Sequence, residues 1–349
     1  MPLARFSKLI TSRNQGGGDK KQGFPPSMGL GPFAMNAIKI RAWGYLRDIK
    51  GGVVNTPIKF EFPSGGTGFG AAYGFDSSSG KICGVYYESN GNERPIVWNS
   101  TGAYDSAVTF TFPEDGNGEG VANGFGPGGK ICGFWYDDSD DIPIVWDSTG
   151  AYDSAVNFTV PEGNTFNVRA RGFDISSGKI CGYYETGLGS FPIVWASTGG
   201  DTNVTFTFPE DGTGEGVANG FGPGGKICGS YYVSGSGSFP IVWASTGGDT
   251  NVTFTFPEDG TGEGVANGFG PGGKICGSYY ESNGNERPIV WTSTGAYDSA
   301  VTFTVPGGDT AGGVANGFGP GGKICGSYYE PNGDERPIVW NSDGTLYFT

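Results

Sequence analysis

The string KICG occurs six times and places cysteine at 83, 132, 181, 228, 276 and 325, with successive gaps of 49, 49, 47, 48 and 49 residues. A near-constant period of that length marks a repeated supersecondary unit, which cannot bury its apolar face alone and completes its core against the next copy. Within one copy four short runs rich in β-branched and aromatic residues follow each other: VANGF (265–269), KICGSYY (274–280), RPIVW (287–291) and VTFTV (301–305). They are separated by GPGG, ESNGNE and TSTGAYDSA, which supply the residues that tight antiparallel connections need. No apolar 3.6-residue periodicity competes with this pattern. The expectation is an all-β fold: a six-bladed β-propeller of four-stranded blades over residues 55–349, behind an extended basic, Gly/Pro-rich N-terminal arm over residues 1–54.

Closing six units into a ring removes the exposed sheet edges that an open stack leaves. The rival is an open β-solenoid, whose coils are shorter than this period and which needs capping ends. One detail at the ends stays open. IKFEFP (58–63) matches VTFTFP (108–113), and the chain ends on TLYFT (345–349), a shortened copy of the same strand type. That type thus occurs seven times for six of each other run, so either terminal copy can complete a blade.

The 68 Gly and 22 Pro of this 349-residue chain suggest disorder until its 25 Phe, 17 Tyr and 8 Trp are weighed, too many large apolar groups to leave in water. Charge is divided unevenly. Residues 1–50 hold nine Lys or Arg against two Asp, a net +7, and the remainder holds twelve against 33 acids, a net −21. Such an arm finds an acidic surface to lie on, and Arg5, Lys8, Arg13, Lys20 and Lys21 are the expected electrostatic anchors. No run approaches the roughly 18 apolar residues of a membrane-spanning helix, and the first residues lack the apolar core of a secretory signal.

Chemistry is harder to find than architecture. The cysteines show no CxxC spacing and are expected to be buried free thiols. The chain has no histidine, which removes the imidazole that nucleophile triads and most zinc and haem sites use. Hydrolysis by paired carboxylates remains formally open, yet the copies stay close to one another, and no enzyme is expected. In PEDGNGEG (113–120), Glu114, Asp115 and Glu119 are weak calcium candidates, because calcium wants six to eight oxygens and equivalent loops have lost most acids. No cofactor is expected. Tyr104, Tyr152 and Tyr297 recur in the STGAYDS connection, where they read as packing or surface residues more readily than as sugar-stacking shelves. Sequons at Asn99, Asn157, Asn203 and Asn251 matter only to a chain that meets glycosylating enzymes.

LITSRNQGGGDKKQGFPPSMGLGPF (9–33) resembles the N-terminal segment shared by many proteins of giant viruses that infect marine algae and protists. The repeat is similar to HAF-type repeats of bacterial extracellular proteins, with ANGFG, GKICGSYY and PIVW at matching places over residues 70–349; its cysteine and PIVW depart from that pattern. The first resemblance implies a virion component made in the host cytoplasm, whose arm docks on capsid or other virion proteins while the propeller is displayed or packed between capsomers. The second implies an extracellular or surface adhesion module binding host glycans or proteins through its loop face. A nucleic-acid partner is disfavoured.

Overall fold

The structure is a computed structural model that describes residues 57–347 apart from 114–117, 138–139, 162–164 and 307–311. The arm lies outside the described residues, all of which fall in the unit Thr56–Thr349. They form six three-stranded antiparallel sheets, one per repeat. The first holds β1 (Gly66–Phe75), β2 (Ile82–Glu88) and β3 (Glu93–Trp98), and the second β4 (Gly120–Phe125), β5 (Ile131–Asp137) and β6 (Asp140–Trp146). The third spans Thr165–Trp195, the fourth Gly212–Trp243, the fifth Gly260–Trp291 and the sixth Gly313–Trp340, each in the same strand order.

Each sheet, or blade, buries both faces, and the cores lie between neighbours. Cys83 and Val97 of blade 1 pack with Ala122, Ile131, Ile144 and Trp146 of blade 2. Blade 6 meets blade 1 in the same way, with Cys325 and Val339 against Ala72, Ile82, Ile96 and Trp98. The tryptophan is the largest group in every core and is completely buried in all six. Removing such a side chain costs about 3–5 kcal/mol. The glycine of KICG makes room for it. A Cβ on Gly133 would sit 1.9 Å from the Val121 carbonyl and 2.9 Å from the Trp146 ring.

Every first strand carries a one-residue bulge, between Ala122 and Gly124, Ala218 and Gly220, and at the equivalent place elsewhere. A bulge re-aims its extra side chain, here toward the next blade. The amide of Asn123 donates to the Ala170 carbonyl at 2.8 Å, that of Asn219 to Ala266 at 3.2 Å, that of Asn267 to Ala315 at 3.2 Å and that of Asn316 to Ala72 at 3.0 Å. In blades 1 and 3 the bulged residue is Tyr73 or Arg171.

The expected fourth strand is a correction. The VTFTF segments run extended beside the blade that follows them without joining its ladder: Thr109 and Thr111 donate backbone N–H to the carbonyls of Thr149 and Gly150 at 2.8 and 3.0 Å. The physical reason lies in Trp146, whose indole N–H takes the Thr111 carbonyl at 2.8 Å while Phe110 and Phe112 stand edge-on to its ring at 4.9 and 5.9 Å. The acceptor a ladder would use is occupied. Trp98, Trp195, Trp243, Trp291 and Trp340 make the same bond to Glu61, Thr159, Thr207, Thr255 and Thr304.

The phase left open by the termini follows from these bonds. The segment around Glu61 belongs to blade 1. Leu346 bridges Trp340 as Tyr104 bridges Trp98, so residues 345–347 match the AYDS connection rather than VTFTF. Ile58 then donates to the Tyr347 carbonyl at 3.1 Å, a hydrogen bond standing where peptide bonds link the other blades.

Candidate functional site

Two ends of the unit carry polar groups. At the hairpin end, the second strand of each blade pairs in register with the third at Tyr87 and Glu93, Tyr136 and Asp141, Glu185 and Ser190, Tyr232 and Ser238, Tyr280 and Glu286, and Tyr329 and Glu335. Across blades 1 to 3 these groups form one network. The Tyr136 hydroxyl donates to Glu93 at 2.5 Å, Arg169 pairs with Asp141 and lies over the Phe134 ring at 4.5 Å, and Asn167 donates to Glu185 at 2.8 Å. Burial and the bond to Glu93 push the Tyr136 hydroxyl far above its usual range.

On blades 5 and 6 the same end holds carboxyls against their preference. Burial raises Glu286 above the ordinary glutamate value, opposed by the Ser278 hydroxyl that donates to it at 2.7 Å. Burial also raises Glu335, opposed by Ser327, with the charges of Glu286 and Glu93 adding to the rise. In both, loss of hydration on burial disfavours the charged form. Glu286 is held by Ser278 of its own blade, whereas Glu93 of blade 1 is held across the seam by Tyr136 of blade 2.

The opposite end carries the turns after the first strands. In blades 2, 4, 5 and 6 these are PGG turns (127–129, 223–225, 271–273 and 320–322). In blades 1 and 3, the blades without a bulge asparagine, they are DSSSG and DISSG. Asp174 accepts from the Ser176 and Ser177 hydroxyls at 2.7 and 2.5 Å; although burial works to raise it, those bonds hold its carboxyl below the usual range. Beside this turn a groove of about 660 Å³ runs from blade 3 across blade 4, lined among others by Ile175, Ser176, Lys179, Phe221, Ser245 and Phe269. A second groove of about 230 Å³, lined among others by Ser78, Pro320, Lys323 and Tyr347, lies between blades 6 and 1.

The expected site residues fall as follows. Glu114, Asp115, Arg5, Lys8, Arg13, Lys20 and Lys21 lie outside the described residues. Glu119 is described, and its backbone carbonyl accepts from Tyr136 at 3.2 Å. Its counterparts Glu215 and Glu263 lie over Gly189 and Gly237 of the preceding blade, so these loop acids serve blade contacts. Among the described residues no group of three metal-ligating side chains converges. The six thiols are free and buried, and burial pushes those of Cys132 and Cys228 up to about 12. Tyr104 and Tyr297 pack against interblade cores, and Tyr152 is 36% exposed.

Neither the hairpin-end network nor the groove was singled out by residue type. The available signals were departures from the repeat: RARGF in place of VANGF, and DISSG in place of GPGG.

No protein-family model and no curated protein matches the chain. Among solved structures it is similar to TolB from Acinetobacter baumannii at 17% identity and a TM-score of 0.47, over 64% of this chain and 52% of that one, so it spans about half of TolB. It is similar to a triple arginine mutant of AofleA from Arthrobotrys oligospora at 12% identity and a TM-score of 0.50, over 82% of this chain and 88% of that one. The Dos1 propeller matches at 12% identity and a TM-score of 0.41, over 82% and 74% of the two chains. These likenesses concern the fold alone, and the chain is an all-β protein of six three-stranded sheets.

Proposed function

We propose that the chain is a non-enzymatic structural protein of a viral particle, in which the basic arm docks on the acidic surface of a capsid or other virion protein and the propeller is displayed or packed between capsomers. The observation that carries this reading is the division of charge, +7 over residues 1–50 against −21 beyond them. The propeller's own cations support it. Of its twelve Lys and Arg, Lys81, Arg94, Lys130, Arg169, Lys274, Arg287 and Arg336 are held in internal ion pairs. That leaves five cations in the body against nine in residues 1–50, so the first 50 residues carry most of the positive charge that the body's ion pairs do not hold.

Deleting residues 1–35 tests this. The propeller is expected to fold while its co-sedimentation with virus-sized particles, read by mass spectrometry, is lost; unchanged retention overturns the reading.

A second reading is favoured by the grooves. Turns from adjacent blades enclose concave, mixed apolar and polar surfaces, the kind of surface that takes small ligands. On that reading the loop end is the binding face of a surface or secreted adhesion module, and a glycan array tests it.

A further inference from the structure

In three of the six blades the KICG lysine pairs with the aspartate that follows the tryptophan. Lys81 pairs with Asp105 at 2.8 Å, Lys130 with Asp153 at 2.7 Å and Lys274 with Asp298 at 2.7 Å, and Lys323 sits 3.6 Å from the centre of the Tyr347 ring. Blades 3 and 4 break the rule. Their connection after the tryptophan reads STGGDTN instead of STGAYDSA, one residue shorter before the next valine. The tryptophan bridge keeps its place, so Asp201 bridges Trp195 where Tyr152 bridges Trp146. The aspartate has moved up by one position. Thr202 now fills the position of Asp153: its N–H donates to Val194 at 3.0 Å as that of Asp153 donates to Val145 at 2.9 Å, and its hydroxyl is spent on the same Val194 carbonyl. Among the described residues Lys179, Lys226 and Lys323 are in no ion pair, and of these only Lys323 lies over a ring.

Lys179 lines the larger groove. Around it stand the partly exposed rings of Phe221 and Phe269, the side chain of Ile175, 53% exposed, and the Ser245 side chain. Asp174 is the acid of this wall, and its oxygens are already taken by the serines of its own turn. The groove therefore holds one ammonium that is in no ion pair and one carboxylate bound by its own turn, with apolar surface and hydroxyl groups, in a single concavity. A ligand that matches carries an anionic group on a small ring with CH-rich faces and several hydroxyls. A peptide fits less well, because extended peptides are recognised by adding to a free strand edge, and this groove is walled mainly by turns.

We propose that the groove running from blade 3 across blade 4 to Phe269 of blade 5 is a binding site for an acidic saccharide, a uronic acid or sulfated sugar, with its anion on Lys179 and a ring face on the phenylalanines. The proposal rests on the loop-face reading and names its ligand class and seam. Attraction between the ammonium and the anion supplies selectivity against neutral sugars more than raw affinity.

The test uses the full chain and calorimetric titration with trigalacturonate, sulfated galactotriose and neutral galactotriose. Binding is expected for the two anionic sugars and not the neutral one. It should weaken about tenfold or more in Lys179→Ala, the usual scale for losing a bond to a charged group. Thr202→Asp should weaken it as much, by returning to Lys179 the partner that Lys130 has, while Lys130→Ala, in another blade, leaves binding unchanged. Unfolding midpoints confirm that each variant is folded; if Thr202→Asp is not, Lys179→Gln takes its place. Equal binding of galactotriose, or binding unmoved by Lys179→Ala, overturns the Lys179 site. Failure of both anionic sugars overturns it too, and a glycan array then decides separately whether the loop-face reading survives.

Discussion

The side-chain amide of Asn316 donates to the backbone carbonyl of Ala72 at 3.0 Å across 244 residues, the same bond that joins Asn267 to Ala315 one blade earlier. The last blade therefore meets the first through a contact used inside the chain. Replacing Asn267 or Asn316 by Ala leaves a carbonyl at a blade seam without its donor, a loss of about 1–3 kcal/mol. Urea denaturation should show similar losses for both variants. A loss at Asn267 with none at Asn316 would mean that the two ends of the unit are not joined in solution.

Gly133→Ala puts a methyl group 1.9 Å from the Val121 carbonyl and against the Trp146 ring. Neither backbone nor buried indole can retreat, and the expected cost exceeds the usual 1–3 kcal/mol or so of overpacking. The variant should unfold at markedly lower denaturant or fail to accumulate. Gly128→Ala is the control on space, since its Cβ would meet nothing within 4 Å, though its φ of +68 retains a modest backbone cost.

Glu335 and Glu286 make stability depend on pH in a definite direction. Their folded-state pKa values are raised by burial, so the native state binds more protons than the unfolded chain between the ordinary glutamate value and the raised one. Stability from these two groups falls as pH rises through that window. Glu335→Gln should be more stable than the parent at pH 8, with the difference shrinking toward pH 4. An equal difference at both pH values would show that the fold does not raise the Glu335 pKa.

The six thiols should resist a water-soluble disulfide reagent at pH 8 in the native protein and all react once guanidinium unfolds it, because they are buried and burial raises the pKa of each. Only the thiolate attacks. Rapid native-state labelling of any one of them would contradict its burial.

The KICG period made the six units legible because every copy needs the same small, buried and strand-forming residues at the same spacing. VTFTV was read as a strand since its alternation is that of one. What alternates is packing: Phe110 and Phe112 face Trp146, and the indole N–H claims the carbonyl a ladder would need. A pattern of side chains does not reveal which donor a carbonyl finds. The bulge asparagine was hidden for a related reason, since VANGF alternates smoothly in sequence while Asn123 is the one residue out of register. Lys179 left a trace, because the shortened connection contributes to the reduced spacing after Cys181. Its meaning needed the pairing of Trp195 with Asp201 to show which residue had shifted.

The hydrogen bond from Ile58 to Tyr347 stands where a covalent link runs between other blades, so no blade borrows a ladder strand from the far end of the chain. One stretch of coding sequence corresponds to one blade. In-frame recombination between copies then adds or removes complete modules, each arriving with its own tryptophan, its own phenylalanine bed and its own seam. A single blade can thus depart from the repeat, as blades 1 and 3 depart from it at their bulge and turn, while its neighbours go on holding the ring together.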